Sequence, residues 1–334
     1  MEENTYQMNY TKLFEKADAL YEQNKIEEAK ELYRTIMFSN GDTHAALMYG
    51  NCLSLQNEHE SAIKIFKRLT EITPYEEAPW YNLGNQYLKL DRPAKALMCF
   101  RKAKEADSKN ADAEYKMGFC HERLNNVEQA TEHYKRSLEF EVSDNTLFRL
   151  GICYLMQNNP DKALECLTKA NELEPDCYDT SFYIGICYEI LKNPDKAINY
   201  YKKALKIENN FNAHLNLGAC YLDIGNLDSA LKHSKTAYEM NPDDPDALHY
   251  YCYILIKTKN GNKAYNLLCA TDIDFSDDYS LLEMLIVLSL NRGDFSRADK
   301  AYLKLKKIDT EMAFDYETLK EKAQKKFYEK NPTS

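Results

Sequence analysis

Apolar positions along the chain recur at helical spacing. In "PDKAINYYKKALKI", Pro194 to Ile207, residues Ala197, Tyr201 and Ala204 fall at i, i+4 and i+7 and draw one apolar face down a helix. The stretch before it, "TSFYIGICYEIL" from Thr180 to Leu191, predicts a partner helix, and the short break between them predicts an antiparallel pair. Asn193 ahead of Pro194 suits the start of the second helix: a side-chain cap, then a proline whose missing N–H costs nothing in the first turn. Asn159 and Pro160 repeat that signal. Pro74, Pro175 and Pro242 close other second helices, because proline cannot continue them.

The pattern is periodic. "GICYLMQNNPDKA", Gly151 to Ala163, returns as "GICYEILKNPDKA", Gly185 to Ala197, 34 residues later. Gly50, Gly84, Gly118, Gly151, Gly185 and Gly218 stand 33 or 34 residues apart. A parallel alanine series runs Ala29, Ala62, Ala96, Ala130, Ala163, Ala197, Ala230, Ala264 and Ala298, which gives nine repeats. Glycine costs about 1 kcal/mol relative to alanine inside a helix, so six at one phase point to a packing need. Gly185 and Ala197 are expected near the crossing of their two helices, with Ile184, Tyr188 and Tyr201 filling around it.

At these residues the chain resembles the tetratricopeptide repeat family. Trp80, Leu83, Gly84, Tyr87, Ala96, Phe100 and Ala103 follow that family's pattern in order, with Ser108 in place of its proline. The resemblance covers about residues 10–312 and implies an all-α, right-handed α-solenoid of helix-turn-helix repeats. The frames are 10–42, 43–76, 77–110, 111–143, 144–177, 178–210, 211–244, 245–278 and 279–312, after an N-terminal extension 1–9. Ala17, Cys252 and Ile286 replace the glycine in terminal frames, where one face lacks a neighbour. Residues 313–330 predict one more helix, a cap with an apolar stripe of Tyr316, Leu319, Ala323 and Phe327, before a tail 331–334. In some members such a helix blocks the groove instead.

Composition narrows the function. With 10 glycines and 9 prolines the chain is too poor in both for a loop-rich β protein. Its charge of -10 argues against a phosphate-backbone partner, so an RNA-reading helical repeat is the weak alternative and no nucleic acid is expected. Acids stand where a secretion signal has bases and no run reaches the ~18 apolar residues of a membrane span, so a cytoplasmic chain with no membrane partner is expected. Ten cysteines form no CxxC pair. Five of them (Cys52, Cys120, Cys153, Cys187 and Cys220) sit two residues after a column glycine, as small buried side chains. No phosphate loop, HExxH pair or GxGxxG occurs, and neither an enzyme, a metal nor a cofactor is expected. His121 fills a tyrosine slot and reads as a core histidine. Asp243–Asp244 and Asp277–Asp278 read as turn and cap residues.

The resemblance implies a scaffold or adaptor that takes a peptide or extended partner segment in a groove lined by the first helices. Carried over residue by residue, the groove positions are Tyr81, Asn85, Tyr115, Lys116, Phe119, Phe148, Arg149, Ile152, Phe182 and Ile186. They form a mainly apolar and aromatic stripe, part of which is inter-repeat packing on the alternative reading. A narrower alternative is a co-chaperone-like clamp on a C-terminal carboxylate. Asn51, Asn82 and Lys116 match its places, as do Asn85, Asn145 and Arg149 one repeat on. Leu47, Asp112 and Tyr81 stand where its lysines should be. Self-association through the groove or the last helix is a further option.

Overall fold

The computed structural model describes residues 2–107, 110–271, 278–308 and 316–330, and these contain helices and no strand. The chain divides into two compact units, Met1–Pro175 and Asp176–Ser334. The first holds α1 (Glu2–Glu22), α2 (Ile26–Asn40), α3 (Thr43–Leu55), α4 (His59–Ile72) and α5 (Glu77–Lys89). It continues with α6 (Pro93–Ala106), α7 (Ala111–Arg123), α8 (Val127–Phe140), α9 (Asp144–Met156) and α10 (Pro160–Leu173). The second holds α11 (Tyr178–Ile190), α12 (Pro194–Ile207), α13 (Phe211–Asp223), α14 (Leu227–Met240) and α15 (Pro245–Lys257). It ends with α16 (Gly261–Ala270), α17 (Tyr279–Arg292), α18 (Phe295–Ile308) and α19 (Tyr316–Lys330). Each unit is a succession of helix pairs packed on their neighbours, an all-α solenoid as expected. The first helix starts at Glu2, so residues read as an extension before position 10 continue α1 upstream. Ser108 and most of "TDIDFSDDYS" lie outside the described residues.

The capping signals act as the sequence implies. Asn193 accepts from the Lys196 N–H and Asn159 from the Lys162 N–H, each ahead of a proline in the first turn. Asp244 and Asp278 accept from the Ala247 and Leu281 N–H groups. α4, α10 and α14 stop two residues before Pro74, Pro175 and Pro242.

Four of the six column glycines meet rings, and Gly151 meets Leu167. A Cβ on Gly185 would stand 2.5 Å from Tyr201 Cε1, one on Gly84 2.8 Å from the Phe100 ring, and one on Gly50 2.6 Å from Phe66. The side chain opposite each glycine is thus the one four residues after the column alanine. The alanines Ala96 and Ala197 are themselves fully buried. At Gly218 the opposing residue is Ser234, and the same Cβ would have 3.3 Å to the nearest atom. Of the side chains expected around the Gly185 crossing, Ile184 and Tyr201 are fully buried and Tyr188 is half-buried.

Three second-helix tyrosines are buried as rings with a satisfied hydroxyl. Tyr33 donates to Asp18 at 2.5 Å, Tyr134 to Glu122 at 2.8 Å and Tyr201 to Glu189 at 2.8 Å, each from a second helix to an acid on its partner. A buried hydroxyl needs such an acceptor.

A left-handed residue recurs in the turn inside each pair: Asn24, Asn57, Asp91, Asn125, Asn158, Lys192, Gly225, Lys259 and Gly293. Asparagine adopts this conformation at less cost than lysine. Lys192 has φ 56° and is exposed. Lys192→Asn is expected to stabilise the C-terminal unit by about 0.5–1 kcal/mol, read as a rise in the urea midpoint at constant slope.

α19 packs on α17 and α18. Tyr316 is buried, stacks on Tyr302 at 4.1 Å and donates to Asp299 at 2.6 Å. Phe327 lies against Phe295 and against Gly293, where a Cβ would stand 2.3 Å from the ring. Gly293 is therefore held twice, by its φ of 80° and by this contact. Leu319 of the expected stripe remains exposed.

Candidate functional site

The first helices of the N-terminal unit line a cleft of about 700 Å³. Its wall is built from α3 (Asn51, Ser54), α5 (Asn82, Asn85, Gln86, Lys89), α7 (Tyr115, Lys116, Phe119, Arg123) and Arg149 of α9. Residues spaced three or four apart on one helix share a face, and that spacing puts Asn82, Asn85, Gln86 and Lys89 together. Their opposite face carries Leu83 and Tyr87 into the core.

Tyr21, Leu55, Leu88 and Asp91 complete the wall, so the cleft mixes polar and apolar surface. Asn82 donates to Asn51 at 2.9 Å, and Gln86 donates to Ser54 at 2.8 Å and accepts from His59 Nδ1 at 3.0 Å through its Oε1. Arg123 is paired with Asp91 at 2.7 Å. Arg149 is paired with Glu122 at 2.7 Å and lies 5.1 Å above the Phe119 ring. Burial works against the Arg149 charge, but Glu122 and the tyrosines Tyr115 and Tyr134 outweigh it and raise its pKa. Lys116 lies 5.7 Å over the Tyr115 ring. Among the described residues neither Lys89 nor Lys116 has an acidic partner.

The structure brings five of the ten expected groove residues into this cleft: Asn85, Tyr115, Lys116, Phe119 and Arg149. Tyr81 is turned to Asp112 by a short hydrogen bond and rests on Phe100 at 5.5 Å between ring centres. Burial, then that carboxylate, raises the pKa of its hydroxyl well above the ordinary value. Phe148 and Ile152 are half-buried and lie outside the cleft lining. In the C-terminal unit, Phe182 stacks on Tyr178 at 5.6 Å and leans on Tyr201 at 5.5 Å, and it packs with Ile186 against a buried cluster. Tyr115 leans on Tyr134 at 5.6 Å in the same way. The aromatic slot of the first helix thus serves the core of its own pair. Asn51, Asn82, Gln86, Lys89 and Arg123 belong to the cleft but were not among the ten; their signal is the polar face at three- and four-residue spacing.

The remaining titratable clusters offer no catalytic geometry among the described residues. His121 is buried and stacked on His133 at 5.2 Å; burial, then His133, lowers its pKa, as suits a core histidine. His214 and His233 share a hydrogen bond between their Nδ1 atoms at 2.8 Å, with the His214 Nε2 atom 2.9 Å from Asn209. Burial, then His214, Lys232 and Lys202, lowers the His233 pKa to about 4. A histidine depressed in the native state adds stability that is complete above its unfolded value near 6.5 and is lost as pH falls through 4. Urea denaturation of the C-terminal unit should therefore show a falling midpoint across that window, and His233→Gln should flatten the fall. No described group of three or more His, Cys, Asp or Glu could hold a metal. The cysteines are free thiols, and burial raises the pKa of Cys120, Cys153, Cys187 and Cys220 to about 12. No described helix is long and apolar enough to cross a membrane.

Tetratricopeptide repeat models match residues 14–77, 78–110, 112–139 and 211–244. The chain is a tetratricopeptide repeat protein. Residues 155–214 also match the family model of regulator of microtubule dynamics proteins 1-3. Protein bimA of Emericella nidulans is 29% identical over 98 residues, which is 29% of this chain and 12% of that protein. Anaphase-promoting complex subunit 3 of Schizosaccharomyces pombe is 27% identical over 125 residues, 37% of this chain and 19% of that protein. The chain thus spans less than a fifth of these curated relatives. Among solved structures, the C-terminal part of a repeat-containing protein from Cytophaga hutchinsonii superposes with a TM-score of 0.59 at 17% identity, covering 71% of this chain and 98% of that one. YrrB gives 0.51 at 24% identity, covering 55% and 96%. These likenesses concern the fold. Repeats and relatives together support a protein-interaction scaffold.

Proposed function

We propose that the protein is a non-catalytic scaffold that holds an extended, acidic segment of a partner protein in the cleft of its N-terminal unit. The observation that supports this reading is the cleft's lining: a row of carboxamides beside two lysines without acidic partners. Asn51, Asn82 and Asn85 offer donors and acceptors that suit the backbone of a strand-like peptide. Lys89 and Lys116 suit its carboxylates, and Phe119 and Tyr115 give apolar contact at the far end. A full carboxylate clamp fits less well, because Arg149 is already held by Glu122 and Tyr81 by Asp112.

The test is selection from a random peptide library followed by titration of cleft variants. Selected peptides should carry an acid beside an apolar residue. A charge-assisted hydrogen bond contributes ~1.5–3 kcal/mol, so Lys89→Ala and Lys116→Ala should each weaken binding about tenfold or more at low salt, and less at high salt. Phe119→Ala should weaken it about tenfold at either salt. Selected peptides indifferent to all three substitutions would refute the reading.

A further inference from the structure

A second cleft of about 450 Å³ opens on the other side of the same unit, between the second helices α6 and α8 with α7 beneath. Its lining is Arg101, Lys104 and Glu105 from α6, Met117 from α7, and His133 and Arg136 from α8. The floor is fixed from below. Glu114 of α7 is 1% exposed, forms a close ion pair with Lys104, and is bridged to His133 Nδ1 at 2.6 Å. Burial alone would raise the Glu114 pKa, but Lys104 and His133 bring it below the ordinary value. The carboxylate is thus already engaged by Lys104 and His133 of the floor itself.

The rim differs in its arginines. Elsewhere among the described residues most arginines pair with an acid: Arg68 with Glu71 at 2.8 Å, Arg92 with Glu60 at 3.2 Å, Arg123 with Asp91 at 2.7 Å and Arg149 with Glu122 at 2.7 Å. Arg101 and Arg136 make no ion pair among the described residues. Glu105, the one acid on the rim, is engaged by Lys102 at 2.6 Å. In a chain of net charge -10, two exposed guanidinium groups from adjacent repeats thus line one concavity without an ion pair.

We propose that this cleft is a second docking site, which takes a phosphorylated serine or threonine on an extended segment of a partner protein. Guanidinium groups are planar forks that bind phosphate oxygens two at a time, and a phosphate carries close to two negative charges for two arginines. The cleft is open and shallow-walled, bounded by exposed side chains, so a side chain presented by a chain fits it better than an engulfed small molecule. The proposal does not depend on the cleft lined by first helices, since the two share no lining residue.

The experiment titrates the full chain with three peptide pools of randomised flanks, centred on phosphoserine, on glutamate and on serine, and with inorganic phosphate. Saturable binding of the phosphoserine pool is expected, at least tenfold tighter than the glutamate pool, with the serine pool silent. Arg101→Gln with Arg136→Gln should weaken it about a hundredfold, since each charge-assisted pair lost is worth tenfold or more. Both arginines are exposed, so the variant should keep its helical spectrum and unfolding midpoint. Lys64→Ala, an exposed lysine of α4 outside both clefts, should leave phosphopeptide binding unchanged. Equal binding of glutamate and phosphoserine pools, inorganic phosphate competing as well as the peptides bind, or a double variant that binds like the parent would each overturn the proposal. Loss through Lys116→Ala instead would assign the phosphate to the first cleft and overturn it as well.

Discussion

Tyr201→Ala is expected to destabilise the C-terminal unit by about 3–5 kcal/mol, the range for truncating a fully buried ring. The ring is completely buried, faces Gly185, and sends its hydroxyl to Glu189. Truncation opens a cavity and leaves Glu189 without that donor. Tyr201→Phe keeps the volume and should cost only about 0.5–1.5 kcal/mol. Gly185→Ala should cost about 1–3 kcal/mol, because a Cβ 2.5 Å from the ring forces it aside. In the Tyr201→Ala background the same change should be neutral or stabilise by up to about 1 kcal/mol, since alanine favours the helix once the ring is gone. Urea denaturation of the four species closes the cycle. A Gly185→Ala cost that is equal in both backgrounds would show that the column glycines serve something other than the ring.

Removing α19 is the second large effect. A chain ending before Tyr316 loses two anchors, Tyr316 on Tyr302 and Phe327 on Phe295. At ~1.5–3 kcal/mol for the buried Tyr316 ring and about half that for the half-buried Phe327, the C-terminal unit should lose about 2–5 kcal/mol. The uncovered face of α17 and α18 should also self-associate, because an open end of a repeat array needs a polar cover. Chemical denaturation and sedimentation velocity read the two consequences. A truncated chain that is monomeric and as stable as the parent would show that the helix is an appendage.

Much of this fold can be read from the letters. The glycine and alanine columns give the period, and asparagine–proline pairs mark helix starts such as Pro160 and Pro194. Two things resisted. The left-handed turn position is written as asparagine, aspartate, glycine or lysine, so no single residue type announces it; Lys192 and Lys259 occupy it only because the pair closes around them. The groove was harder. A first-helix aromatic such as Phe182 looks like a surface anchor in sequence, yet its ring reaches across to Tyr201. Conversely Gln86 and Lys89 look like ordinary solvated residues until α3, α5 and α7 align them along one cleft. Which side of a half-buried helix faces a partner is set by neighbouring repeats, and spacing within one repeat does not contain it.

The central claim is that a partner segment lies against the first helices of the N-terminal unit. A photoreactive amino acid placed at Asn85 or Phe119, in the cleft, and at Lys64, exposed on α4, maps that contact directly in the native cell. The account predicts a discrete adduct from Asn85 and Phe119, abolished by an excess of a selected acidic peptide, and none from Lys64. An adduct of equal yield at Lys64, or cleft adducts that the peptide does not displace, would contradict it.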